Sequence, residues 1–160
     1  MDRREFLNKG VGAGLMAGIA LGFGKLDELT AAPVTGKPVD LVAIKGGEPD
    51  IMFDKAIAAL GGMSAFVKKG QKVVVKPNIG WDKKPEMGAN TNPVLVKRIV
   101  EHCIKAGASE VYVFDMTCND WQKCYQNSGI KEAVEQAGGK MVPANNESYY
   151  KEVTIANGKK

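Results

Sequence analysis

Hydrophobic and polar positions follow two different periods along the chain after residue 38. Short, mostly apolar runs predict five strands, at residues 39–44, 72–76, 110–115, 140–143 and 152–156. Apolar residues at helical spacing predict helices that begin near Asp50, Pro93, Trp121 and Ile130. The repeated strand–helix–strand order predicts an α/β fold with a doubly wound, mostly parallel sheet and flanking helices.

Individual residues refine this pattern. The unbroken run from Val73 to Val75 predicts a strand that is buried on both faces, as in a parallel sheet. Asn92 followed by Pro93 is typical of a helix cap and first helical position. On the same helix, Cys103 falls on the apolar side and is expected to be buried. His102 falls on the polar side, where we expect a solvated surface histidine.

The last predicted strand is followed by Asn157 and Gly158, a dipeptide that favours a tight hairpin turn. Only Lys159 and Lys160 come after it, too few residues for a returning strand. We therefore expect the natural domain to continue beyond residue 160, so that this chain holds an incomplete domain.

The N-terminus has the pattern of an export signal. Arg3 and Arg4 are followed by Phe6 and Leu7, the order of a twin-arginine motif. Residues 11–23 are weakly apolar and rich in Gly and Ala, but shorter than the ~20 residues that span a bilayer as a helix. The sequence predicts a signal segment at residues 1–31, an α/β domain at residues 32–160, engagement of the twin-arginine export machinery, and a periplasmic location. It predicts no permanent membrane span unless the signal stays uncleaved.

Composition excludes several classes of protein. The 160 residues carry a net charge of +4 with 25% charged residues, and no basic stripe with interleaved aromatic residues suggests nucleic-acid binding. One histidine is too few for a histidine-rich metal cage, and three cysteines are too few for a scaffold built on disulfides. An ordinary globular domain remains.

Polar residues follow two of the predicted strands. Lys76 and Asn78 come directly after one strand, and Asp115 ends the next. The intervening loop supplies Asn90, Thr91 and Asn92 at a predicted helix start. Ligands of open α/β sheets bind beyond the carboxyl ends of the strands, and a lysine or a free helix-start amide attracts anions. We predict a ligand-binding site for an anionic small molecule or cofactor, with Asp115 orienting a polar group or contacting a divalent metal. The alternative for each residue is a purely structural role.

Cys118 and Cys124 are the candidate metal ligands. They lie six positions apart, just before and within a predicted helix. Three interpretations stay open: a disulfide formed in an oxidising compartment, two ligands of an iron–sulfur cluster or other metal site, and two independent thiols.

Three sequence elements together resemble one protein family. They are the turn Leu60-Gly61-Gly62 with the run Val73-Val74-Val75-Lys76-Pro77-Asn78, the helix start Thr91-Asn92-Pro93, and the turn Ala106-Gly107-Ala108 with a strand that ends at Asp115. Over residues 39–156 the chain resembles the N-terminal half of the domain of unknown function 362 family, in its twin-arginine-exported form. The resemblance implies an α/β protein, of a family whose reaction is not established. Some relatives carry ferredoxin-type cysteine clusters; this chain lacks the C-x-x-C-x-x-C spacing of those clusters.

These observations lead to one functional hypothesis and two alternatives. The leading hypothesis is an exported protein that binds an anionic small molecule or cofactor at the strand ends, with a redox-linked reaction left open. The first alternative is an iron–sulfur or electron-transfer accessory protein that uses Cys118 and Cys124. The second alternative is a periplasmic binding module without catalysis.

Overall fold

Three parallel strands and four α-helices are the main elements of the part of the chain that the structure describes. That structure is a computed structural model, and it describes residues 39–156 and Gly158, all within one unit spanning Thr35–Lys160. The strands are β1 (Lys72–Val75), β2 (Glu110–Val113) and β3 (Lys140–Met141). The helices are α1 (Pro49–Ala59), α2 (Pro93–Lys105), α3 (Trp121–Asn127) and α4 (Ile130–Gln136). The predicted signal segment lies outside the described residues.

The sheet has the order β1-β2-β3, and both strand pairs are parallel. This confirms the predicted α/β class, with a parallel sheet and flanking helices. Each strand lies beside its predecessor in the chain, so successive right-handed crossovers place every connecting helix on the same face of the sheet. Among residues 39–156 the second helix layer of a doubly wound sheet is not present.

The hydrophobic core lies between that sheet face and the helices. Its strand residues are Val111 and Val113 of β2, with Val73 and Val75 of β1 packed against them. The helices contribute fully or nearly fully buried residues: Val96, Val100 and Cys103 from α2, Cys124 and Tyr125 from α3, and Ile130 and Val134 from α4. The predicted burial of Cys103 is confirmed.

The other face of the sheet is polar and open to solvent. Val74 is 58% exposed there, so the expectation that the valine run is buried on both faces is wrong. The reason is the strand order, which leaves this face without a crossover helix. Glu110 lies in the middle of the face and pairs with Lys72 at 2.8 Å and Lys140 at 2.5 Å. The hydrogen bonds from these two lysines lower the pKa of Glu110 to about 2.

Local chemistry explains where α2 begins and ends. The side chain of Asn92 accepts hydrogen bonds from the amides of Val94 and Leu95, and Pro93 occupies the first helical position. The helix ends at Lys105, and two residues later comes Gly107, whose φ of 99° favours glycine. A Cβ atom there would lie 3.2 Å from the backbone of Lys69, so the residue also permits a close approach of two loops.

Two of the five predicted strands do not form. Residues 39–44 and 152–156 have no strand structure, and they leave Leu41 79% and Ile155 76% exposed. Alternation of apolar residues is only half of what a strand needs, since its backbone must also pair with a neighbour. Neither segment pairs with β1, β2 or β3. Within the described ranges, no helix is both long and apolar enough to span a membrane.

Candidate functional site

The loops that follow β1 and β2, residues 76–92 and 114–120, meet at one edge of the sheet and are called here the strand-end rim. Because Val75 and Val113 are partners in the parallel register, the residues just after them leave the sheet side by side. Lys76 Nζ lies 2.5 Å from Asp115 Oδ1, so the two residues meet as the sequence predicts. The Asp115 side chain is 7% exposed and that of Lys76 is 64% exposed.

Asp115 is held from three directions. Its Oδ2 atom accepts a hydrogen bond from the backbone amide of the fully buried Ile79 at 2.8 Å. Its own amide donates to the hydroxyl of Tyr125 at 3.0 Å, and that hydroxyl lies 2.8 Å from the Asp115 carbonyl oxygen, to which it donates. Burial is the main reason that the pKa of Tyr125 is raised. A buried carboxylate with these partners has a fixed position, and it fixes the ammonium group of Lys76.

Asn78 and Thr91 join the two ends of the long rim loop. The Asn78 amide donates to Thr91 Oγ1 at 2.9 Å, and the Thr91 amide donates to the Asn78 carbonyl at 2.9 Å. The Asn78 side chain donates to the carbonyl of Ala89 and accepts from the amide of Gly80, both at 3.1 Å. Both polar atoms of this carboxamide therefore have protein partners.

The other two asparagines of the loop also have structural partners. The Asn90 side chain accepts from the Trp81 amide at 3.1 Å and donates to the Trp81 carbonyl at 2.9 Å. Asn92 caps α2 through the amides of Val94 and Leu95. The expectation of free helix-start amides for an anion is therefore wrong, because the Asn92 side chain already occupies them and Pro93 has none to offer.

Cys118 and Cys124 both approach the peptide of Gly80. The Cys118 amide donates to the Gly80 carbonyl at 2.8 Å, and the Cys124 thiol lies 3.7 Å from the same oxygen. Cys118 is exposed, Cys124 is buried, and both are free thiols. Burial is the main reason that the pKa of the Cys124 thiol is raised.

Cys118 and Cys124 form no disulfide in the structure, which was one of the three open interpretations, and the metal interpretation stays a prediction. The described residues contain no group of three or more His, Cys, Asp or Glu side chains placed to hold a metal ion. Protein iron–sulfur clusters are commonly held by four side-chain ligands. Cys118 and Cys124 supply two.

Gly80 is a rim residue that sequence reasoning missed. A Cβ atom at this position would lie 3.2 Å from Asn78 Oδ1 and 3.7 Å from Cys118 Sγ. The residue thus allows Asn78 and the loop after β2 to come together. A glycine two positions after a polar strand-end residue was the available signal.

A second polar cluster lies between α1 and α2. Asp54 pairs with Arg98, and its Oδ1 lies 2.8 Å from His102 Nε2. The ring of Phe53 packs edge-on against His102 at 5.3 Å. The expectation of a solvated surface histidine is therefore wrong. The spacing of Arg98 and His102, one helical turn apart, was the signal for a shared acidic partner.

Comparison with known proteins gives one match. A family model described as "Domain of unknown function (DUF362)" matches residues 73–160. The match begins in β1 and includes the whole rim, but it does not reach back to residue 39 as expected. No curated protein and no solved structure matches this chain.

Proposed function

Because this chain belongs to the DUF362 family, whose model describes a domain of unknown function, we propose a function from the geometry of its own rim. The proposal is that Lys76 binds the anionic group of a small molecule or cofactor, while Asp115 holds Lys76 in place. Asn78, Asn90, Thr91 and Asn92 shape the loop that surrounds this lysine.

The observation that carries the proposal is the contrast in exposure within the Lys76–Asp115 pair. Asp115 is almost entirely buried, whereas Lys76 is 64% exposed. A lysine ammonium has three N–H donors, and the pair with Asp115 engages one of them. The remaining donors are available to an anion at a position that the buried carboxylate fixes. A charged group held in advance loses less conformational entropy on binding than a free surface lysine does.

The rim also lies where this fold class binds ligands. In open α/β sheets the ligand crevice is outside the carboxyl ends of the strands. Lys76 and Asp115 are the first side chains beyond the ends of β1 and β2 that pair across that edge.

Isothermal titration with inorganic phosphate and pyrophosphate, at constant ionic strength, tests this function. Lys76→Ala is expected to weaken the binding of whichever anion binds the wild type by about tenfold, the value of a charge-assisted hydrogen bond. Lys55→Ala is the matched control, since Lys55 is an exposed lysine on α1 and outside the rim. Unchanged affinity in Lys76→Ala, for every anion that binds the wild type, contradicts the proposal.

We also propose that the chain is exported by the twin-arginine pathway. The support is the order of Arg3, Arg4, Phe6 and Leu7 ahead of a weakly apolar segment. Replacing both arginines by lysine is expected to leave the protein in the cytoplasm upon fractionation, whereas Lys9→Gln is expected to leave export intact. Export of the double-lysine variant at the wild-type level contradicts this part of the proposal.

A further inference from the structure

A concave site lies at the carboxyl end of β3, and is called here the β3 pocket. It has a volume of about 560 Å³, within the range of small-molecule sites. Helix α3 forms one wall, helix α4 forms another, and residues 141–143 lie between them. Lys76 and Asp115 are not among its lining residues, so this site is separate from the Lys76 site.

The polar side chains of the β3 pocket are exposed and come from two helices. Lys131 and Glu135 lie one turn apart on α4, and Gln122 and Gln126 lie one turn apart on α3. Among the described residues, neither charged side chain has an ion-pair partner. Nor does either carboxamide have a hydrogen-bond partner within residues 39–156. One cation, one anion and two amides therefore line the same space, and their side chains are bonded to no other group of the described residues.

The rest of the lining is apolar and aromatic. Met141 and Pro143 lie along the end of β3. The Trp121 ring meets the Tyr125 ring edge-on, with centroids 5.6 Å apart and an angle of 83°. Tyr125 is buried and its hydroxyl is tied to Asp115, so it contributes a rigid ring rather than a free polar group.

From this arrangement we propose that the β3 pocket binds an amino-acid-like zwitterion with an apolar body. Lys131 receives the carboxylate, Glu135 receives the ammonium group, and the apolar body lies against Met141 and Trp121. Residues at i and i+4 of a helix have Cβ atoms about 6 Å apart, which suits two opposite charges carried by substituents of one carbon atom of the ligand. Gln122 and Gln126 can each donate and accept, so they serve either end of the ligand.

A ligand with one charge is recognised less well by this lining. An anion is attracted by Lys131 but repelled by Glu135. A cation is attracted by Glu135 but repelled by Lys131. Placing a charge beside one of like sign is unfavourable, whereas a zwitterion can pair with both side chains at once. The pocket therefore selects by charge pattern rather than by net charge.

Trp121 gives a direct readout of binding. In a Trp81→Phe background it is the remaining tryptophan, since the chain has two. Titration with leucine, phenylalanine and the dipeptide leucyl-leucine is expected to change its fluorescence in a saturable manner. N-acetyl-leucine lacks the ammonium group and leucine amide lacks the carboxylate, and each is expected to bind about tenfold more weakly than leucine.

Charge-matched variants assign each end of the ligand. In Lys131→Gln, leucine is expected to bind no more tightly than leucine amide, which lacks the carboxylate. In Glu135→Gln, leucine is expected to bind no more tightly than N-acetyl-leucine, which lacks the ammonium group. Lys123→Gln and Glu132→Gln are the controls, because both residues are exposed on α3 and α4 but outside the lining. Either of two results overturns the proposal: no zwitterion changes the Trp121 fluorescence, or the Lys131 and Glu135 variants bind leucine like their controls.

Discussion

The strand-end rim and the β3 pocket lie at the same edge of one sheet, yet their polar groups are used in opposite ways. In the rim, the side chains of Asn78, Asn90 and Asn92 are hydrogen-bonded to the backbone of their own loops. In the β3 pocket, Lys131 and Glu135 have no ion-pair partner within the described chain. The rim asparagines therefore stabilise their own loops, whereas Lys131 and Glu135 of the β3 pocket stay accessible to a ligand.

This difference has an energetic consequence. A ligand that uses a rim carboxamide must first break a hydrogen bond within the protein, and such a bond contributes about 0.5–1.5 kcal/mol. A ligand in the β3 pocket replaces only water. Lys76 differs from the rim asparagines, because its exposed ammonium group keeps donors that Asp115 does not use. Substitutions that separate stability from binding therefore test the comparison.

The largest effect is expected at Asp115. Asp115→Ala removes the acceptor of the buried Ile79 amide and the partner of Lys76, so the free energy of unfolding should fall by about 2–3 kcal/mol. Asp115→Asn keeps an oxygen for the Ile79 amide and should lose about 1 kcal/mol or less. Urea denaturation of both variants measures the difference. Equal losses would show that the ion pair, rather than the amide contact, stabilises the rim.

An intermediate effect is expected at Asp54, where polar groups pair on the helix surface instead of in the rim. The hydrogen bond from Arg98 is the main reason that the pKa of Asp54 falls from 3.8 to about 2. Since the folded protein favours the ionised form, this carboxylate stabilises the fold above about pH 4, and the gain is lost as the pH falls through about 2.

The side chain of Asp54 is 29% exposed, so solvent screening reduces the gain to about 1 kcal/mol. Asp54→Asn should be less stable than the wild type by that amount near neutral pH, and the two proteins should converge near about pH 2. Thermal unfolding followed by circular dichroism across this range measures it. A constant difference at every pH would contradict the assigned role of the carboxylate. Lys55→Ala is a control on the same helix.

The smallest effect on stability is expected in the β3 pocket. Gln122→Ala and Lys131→Ala remove side chains without partners in the described chain, so the free energy of unfolding should stay within about 0.5 kcal/mol of the wild type. The same urea titrations measure this, with Asp115→Ala as the contrasting variant. A loss above about 1 kcal/mol would mean that these side chains are structural, and the distinction between rim and pocket would fail.

Much of the fold follows from local sequence pattern. The three strands that form and the four helices lie where periodicity places them, because apolar spacing and caps such as Asn92 act over a few residues. Residues 39–44 show what local pattern lacks, since a strand also needs a backbone partner. The exposure of Val74 could not be predicted from local pattern either, because it follows from strand order rather than from the valine run itself.

The candidate site was also predictable only in part from the sequence. The meeting of Lys76 and Asp115 follows from parallel pairing of the two preceding strands. The roles of the asparagines do not, because a loop asparagine serves equally well as a ligand group or as a turn-forming group. The β3 pocket was missed because Gln122, Lys131 and Glu135 look like ordinary surface residues until α3 and α4 face each other.

Within the part of the chain that the structure describes, β1 lies at an edge of the sheet, and this position bears on how the protein behaves when concentrated. Three consecutive valines on an edge strand are a template for self-assembly between molecules, of the kind that leads to amyloid-like stacking. Lys72 and Lys76 flank that run and act as gatekeepers, because stacked copies would bring like charges together. Neutralising Lys76 therefore removes a donor for an anion and is also expected to lower the solubility of the protein.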